Sequence, residues 1–130
     1  MQPKLFKTTL SEFVPAVWSG KNESGWHPTG DRVLVLPDKA AEMTSGSVHL
    51  PPDVVARHSM AAETGVVVAI GDGAFKWNSD KMTPFEGRKP NVGDRVYMER
   101  YSGQLAHGHD KEVYRLMESA CIGAVKTEDK

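Results

Sequence analysis

Apolar positions in this chain come in short runs bounded by turn-forming residues. Arg32-Val33-Leu34-Val35-Leu36 is a β-branched and leucine run stopped by Pro37, which predicts a short strand ended by a breaker. Gly65-Val66-Val67-Val68-Ala69-Ile70-Gly71 is the strongest run and predicts a strand buried on both faces. Val92-Gly93-Asp94 predicts a turn into a strand reaching Met98, and Tyr101-Ser102-Gly103 predicts another turn. Glu112 to Met117 alternates with period two, and Cys121-Ile122-Gly123-Ala124-Val125 closes the series. Two stretches break the pattern. Asp38 to Ala62 predicts no strand and holds Gly46, Pro51 and Pro52, while Ala74 to Asn91 is a long excursion carrying Phe75, Trp77, Met82 and Phe85 among polar residues, Pro and Gly. Five or six short strands with no strong helix predict an all-β domain, a small barrel or sandwich.

Composition narrows the class without naming a function. The 130 residues suffice for one domain, with 39% apolar and 25% charged positions. Sixteen Lys and Arg against 17 Asp and Glu leave a net charge of -1, which gives no electrostatic footprint for nucleic acid or an anionic membrane. The longest apolar run, Val66 to Ile70, is far short of a membrane span. A single cysteine excludes an internal disulfide and any multi-cysteine zinc site, and fits a reducing, cytoplasmic setting. The N-terminus lacks the apolar stretch of a signal peptide and the arginines of a mitochondrial presequence. Residues 1–27 read as an N-terminal extension whose sparse aromatics pack on the domain or on a neighbouring subunit, residues 28–126 as the domain, and 127–130 as a polar tail.

Candidate chemistry is sparse. His107-Gly108-His109 could point two imidazoles the same way, but only Asp110 stands nearby, and structural metal sites need three or four ligands. Cys121 sits in an apolar run, where a thiol behaves as a small hydrophobe rather than a nucleophile. Gly71-Asp72-Gly73 lacks the third glycine and following helix of a dinucleotide loop and reads as a turn. These residues argue for no enzyme.

The order of the pieces is more specific than any one of them. Asp31-Arg32-Val33-Leu34-Val35, the Gly65–Gly73 segment, Val92-Gly93-Asp94-Arg95-Val96, Tyr101-Ser102-Gly103, Glu112-Val113-Tyr114 with Met117-Glu118-Ser119, and Ile122-Gly123-Ala124-Val125 together resemble the chaperonin-10 family, the GroES-like co-chaperonins. The resemblance covers about three quarters of the chain, from Pro28 to Val125. It implies a small GroES-like β-barrel with a long mobile loop and a protruding roof hairpin. It also implies a noncatalytic, seven-membered homo-oligomeric ring that caps a large GroEL-like chaperonin around unfolded client protein. No cofactor is then expected, because the partner chaperonin binds the nucleotide.

By the same resemblance, chaperonin binding falls to Gly46-Ser47-Val48-His49-Leu50, where His49 replaces an aliphatic residue. Pro52-Asp53 then either starts a helical turn or leads into a second apolar anchor at Val54-Val55. Roof and cavity positions are Phe75, Trp77, Phe85 and Tyr101. The subunit interface falls to Arg32, Val33, Leu34, Val35 and Leu36 with Cys121, Ile122, Gly123, Ala124 and Val125, unless those strands pair within one subunit. The added arm and long loops look like a bacteriophage-encoded member, which would work in the host cytoplasm. The competing reading is a small OB-like barrel that binds nucleic acid, which would interleave aromatics with a basic groove.

Overall fold

The computed structural model describes residues 13–40, 52–76, 82, 84 and 88–126. The described residues form eight strands: β1 (Phe13–Val14), β2 (Arg32–Pro37), β3 (Lys39–Ala40), β4 (Thr64–Ile70), β5 (Arg95–Met98), β6 (Gln104–His107), β7 (Val113–Glu118) and β8 (Ile122–Val125). Among the described residues a helix, α1 (Pro52–Ala61), precedes β4, and a 3-10 turn at Ser119–Cys121 precedes β8. Six strands form one antiparallel sheet in the order β6-β7-β2-β4-β5-β8, while β1 and β3 form a separate pair. This is the small β-barrel fold expected of a GroES-like domain.

The central strand explains why its sequence is apolar without alternation. Val33 and Val35 enter one core with Met98, Met117 and Phe75, while Leu34 and Leu36 enter a second core with Val68 and Tyr114. Successive side chains point to opposite faces, so a strand covered on both sides needs apolar residues at every position. The second core is closed by the N-terminal arm, whose Ala16 and Trp18 pack against it. Gly65 is fixed by close approach, since a Cβ there would stand 2.6 Å from the carbonyl oxygen of Leu36. Between Leu34 and Val35 the β2–β4 register slips, a bulge that adds local twist.

Several expectations need correction. The stretch from Asp38 to Ala62, expected to hold no strand, contains the short strand β3 and a ten-residue helix, α1. Pro52-Asp53 starts that helix, so of the two readings the helical one holds, and Val54 and Val55 are half-buried helical residues rather than an extended anchor. Proline suits its first position because that N–H has no intrahelical partner. Val33, Leu34 and Val35 are paired on both sides within the chain, to β4 and to β7. Arg32 is held by β7 and by Gly71 N–H, and Leu36 by β4, so the Arg32 to Leu36 strand has no free edge to offer a neighbouring subunit. Cys121 lies in the turn before β8, not in the strand. Phe75 has φ 61° and is only 5% exposed, packed into the first core. It therefore cannot line a roof or chamber, and its burial offsets a conformation that bulky residues avoid.

Candidate functional site

The end of α1 and the turn after β5 form one interlocked unit. A helix leaves its last carbonyls without partners. Here Met60 O accepts from Tyr101 N–H at 2.7 Å, Ala61 O from Arg100 Nε at 3.2 Å, and Ala62 O from Arg115 Nη1 at 2.7 Å. Arg115, on β7, is fully buried. Its Nη2 also donates to Glu99 O at 2.7 Å, Ser102 O at 3.0 Å and Ser102 Oγ at 2.9 Å. Burial pulls its pKa down to about 10, so the guanidinium remains a cation at neutral pH. The fork thus ties helix, turn and sheet together. Above it Tyr101, with φ 61°, projects its ring 61% exposed, and the Arg100 guanidinium lies 5.4 Å from the ring centroid.

A second unit surrounds Asp38, at the junction of β2 and β3 and only 4% exposed. Its carboxylate accepts two bonds from Arg95, at 3.1 and 2.8 Å, one from Ala16 N–H at 2.8 Å, and one from the Thr64 hydroxyl. The hydrogen bond to Asp38 raises the Arg95 pKa, against the opposing effect of burial. Arm, β4 and β5 meet at this one side chain. Phe13, Pro15, Asp38, Thr64, Arg95 and Tyr97 line an open cleft of about 510 Å³, rimmed by Glu63, Arg100 and Lys126. Three cations against two carboxylates leave too little positive charge to track a phosphate backbone.

The described part of the arm, residues 13–27, is fastened at both ends. Phe13 and Val14 pair with Ala40 and Lys39, Trp26 Nε1 donates to His107 O at 2.8 Å, and His109 N–H donates to Ser24 O at 2.9 Å. Tyr114 anchors the neighbouring β6–β7 turn through its hydroxyl, 2.5 Å from Asp110 Oδ2. Burial, and then that hydrogen bond, raise the phenol well above its ordinary value near 10. An unfolded chain sheds this proton at lower pH than the folded one. Stability therefore falls as pH rises above about 10, by at most about 1.4 kcal/mol per pH unit from this group. Tyr114→Phe should lose about 1 kcal/mol at pH 8 and show a shallower decline in urea midpoint between pH 9 and 11. Parallel declines in the two proteins would refute the assignment.

The sequence-predicted residues divide unevenly. Gly46, Ser47, Val48, His49, Leu50, Trp77 and Phe85 lie outside the described residues. Tyr101 is exposed at its turn, and Ile122 to Val125 form an edge strand whose outer side has no strand partner among the described residues. His107 and His109 are exposed, and among the described residues no three His, Cys, Asp or Glu side chains group as a metal set. Burial raises the Cys121 thiol, the opposite of what a nucleophile requires. Sequence reading missed Arg115, Asp38 and Arg95. The first was detectable: in a strand apolar on both faces, a lone arginine sharing parity with Val113 and Met117 must find partners inside.

Comparisons with known proteins agree with this architecture. Residues 26–125 match the family model described as the chaperonin 10 Kd subunit. The chain is 36% identical over 98 residues to the co-chaperonin GroES of Phocaeicola vulgatus, covering 75% of this chain and 93% of that one. It is 34% identical over 100 residues to that of Lactobacillus acidophilus (76% and 96%), and 30% over 99 residues to that of Bacillus sp. strain PS3 (76% and 97%). With the fold and the match over residues 26–125 in agreement, the chain belongs to the chaperonin-10 family.

Proposed function

We propose that the chain is a co-chaperonin whose subunits assemble into a seven-membered ring, a lid that caps a large GroEL-like chaperonin and encloses unfolded client protein. Co-chaperonins of this family are not enzymes, so the lid contributes binding and geometry, and ATP hydrolysis belongs to the partner. The observation that carries the reading is the family match across residues 26–125, on a chain that folds as an antiparallel six-stranded sheet. Residues 41–51, which hold the Gly46-Ser47-Val48-His49-Leu50 sequence, join two held elements, β3 and α1.

Weak single contacts suit such a lid. Burying Val48 and Leu50 contributes roughly 1.5–3 kcal/mol each, and ordering five residues costs about 1–2 kcal/mol per residue. One loop alone therefore gains almost nothing. Several copies on a ring turn later contacts into intramolecular ones and raise avidity by about 10²–10⁴. Ring closure needs a head-to-tail contact between two different surfaces. The outer edge of β8 is one; the other, at the opposite end of the next subunit's sheet, is the region of β6 and Trp26. The arm and the 74–91 excursion further fit a virus-encoded lid with an altered chamber, acting in the cytoplasm of the host.

Two measurements test the proposal. Sedimentation should give a particle near 100 kDa, about seven subunit masses. Adding a GroEL-type bacterial chaperonin with ATP should protect residues 41–51 from proteolysis. A monomer, or cleavage unchanged by the chaperonin, would overturn it.

A further inference from the structure

We propose that the N-terminal arm acts as a clamp on the root of the chaperonin-binding segment, with Asp38 as its positioning residue; this rests on the reading of residues 46–50 given above. Residues 38–40 are held from three directions. Asp38 N–H donates to Thr64 O at 3.0 Å, and its carboxylate is shared among Arg95, Thr64 and the Ala16 N–H of the arm. Lys39 pairs with Val14 through the backbone, and its Nζ lies 2.8 Å from Glu112 Oε1. Ala40 pairs with Phe13. On its other side the segment runs into α1 at Pro52, a helix whose far end is held through its carbonyls by Tyr101, Arg100 and Arg115.

The consequence is a shortened span. Without the arm Asp38 is still held by Thr64 and Arg95, and the arm adds the pairing of Lys39 and Ala40 with Val14 and Phe13. Every residue already ordered before docking is one whose entropy is not lost on docking. The arm thus tunes affinity for the chaperonin without touching it. The arm's anchoring bond is also separable from the carboxylate's other bonds, because only Ala16 N–H belongs to the arm.

Ala16→Pro deletes that donor and leaves Arg95 and Thr64 in place. The expected result is unchanged ring mass, faster amide hydrogen exchange at Lys39 and Ala40, and binding to a GroEL-type bacterial chaperonin with ATP about tenfold weaker. A second protein, Val14→Cys with Lys39→Cys in a Cys121→Ser background, places two thiols at directly opposed positions of the β1–β3 pair. Oxidised, it should bind the chaperonin at least as well as wild type; reduced, it should bind no better than its oxidised form. Ala16→Pro rings that bind like wild type, or an oxidised form weaker than the reduced one, would overturn the clamp. If wild type itself binds no chaperonin, the functional reading fails, whereas unchanged exchange at residues 39–40 in Ala16→Pro refutes the clamp on its own.

Discussion

Replacing Arg115 with methionine should cost about 3–5 kcal/mol of folding stability, a large part of what a domain of this size possesses. The reason is the identity of its partners. A buried ion pair can be exchanged for apolar side chains with little loss, because both partners are removable. Among the described residues Arg115 pairs with no carboxylate; it donates to the backbone carbonyls of Ala62, Glu99 and Ser102, which no substitution removes. Each buried carbonyl left unpaired costs about 1–3 kcal/mol, and Ala62 is fully buried. Methionine would fill much of the volume, so the loss measures hydrogen bonding rather than a cavity. Arg115→Lys should recover less than half, because an ammonium cannot reproduce a planar fork that reaches three residues at once. Urea unfolding of the three proteins checks this, and a methionine variant within 1 kcal/mol of wild type (the worth of one ordinary hydrogen bond) would refute it. The same variant should release the Tyr101 turn, seen as faster exchange of the Tyr101 amide that now bonds to Met60 O.

Arg115 also shows where the sequence was legible and where it was not. The strands at Arg32, Gly65, Arg95, Glu112 and Ile122 announced themselves through β-branched runs and breakers, and all are present within a residue or three of their expected bounds. Helix α1 showed only its start, at Pro52-Asp53, and not its length, because Pro-Asp-Val-Val-Ala-Arg-His-Ser-Met-Ala mixes two β-branched residues with polar ones and shows no clear 3.6-residue stripe. Its stability comes from packing and from the donors that meet its C-terminal carbonyls, which are distant in sequence. β6, Gln-Leu-Ala-His, is an edge strand and carries too little apolar signal to stand out. The arm's role was hidden for a different reason: Ala16 and Trp18 lie in a short apolar stretch, Phe13 to Trp18, that Pro15 interrupts and that shows no strand alternation, and only the topology places them over Leu34 and Leu36. Family order proposed a binding tripeptide at residues 48–50, which lie outside the described residues, whereas the subunit edge it suggested at Arg32 to Leu36 failed because β2 is central in the sheet.

Changing Val48 and Leu50 together to serine should abolish capping of the chaperonin while leaving the ring intact. Each substitution removes roughly 1.5–3 kcal/mol of apolar burial per subunit. Because a single loop stands near zero net free energy before avidity is counted, losing both side chains turns every contact unfavourable, and multivalency cannot amplify a contact that does not form. The expected change is more than 10⁴-fold in apparent affinity, effectively a loss of measurable binding. His49→Val should move the other way. It adds apolar area to the same tripeptide, worth about tenfold per engaged loop if half the side chain is buried. The pair of opposite results is more demanding than either alone. A serine variant that still caps would place the binding sequence elsewhere in residues 41–51, and a valine variant with unchanged affinity would show that position 49 faces solvent in the complex. Both are read by sedimentation of labelled rings with a GroEL-type chaperonin and ATP, where free and bound rings separate by mass.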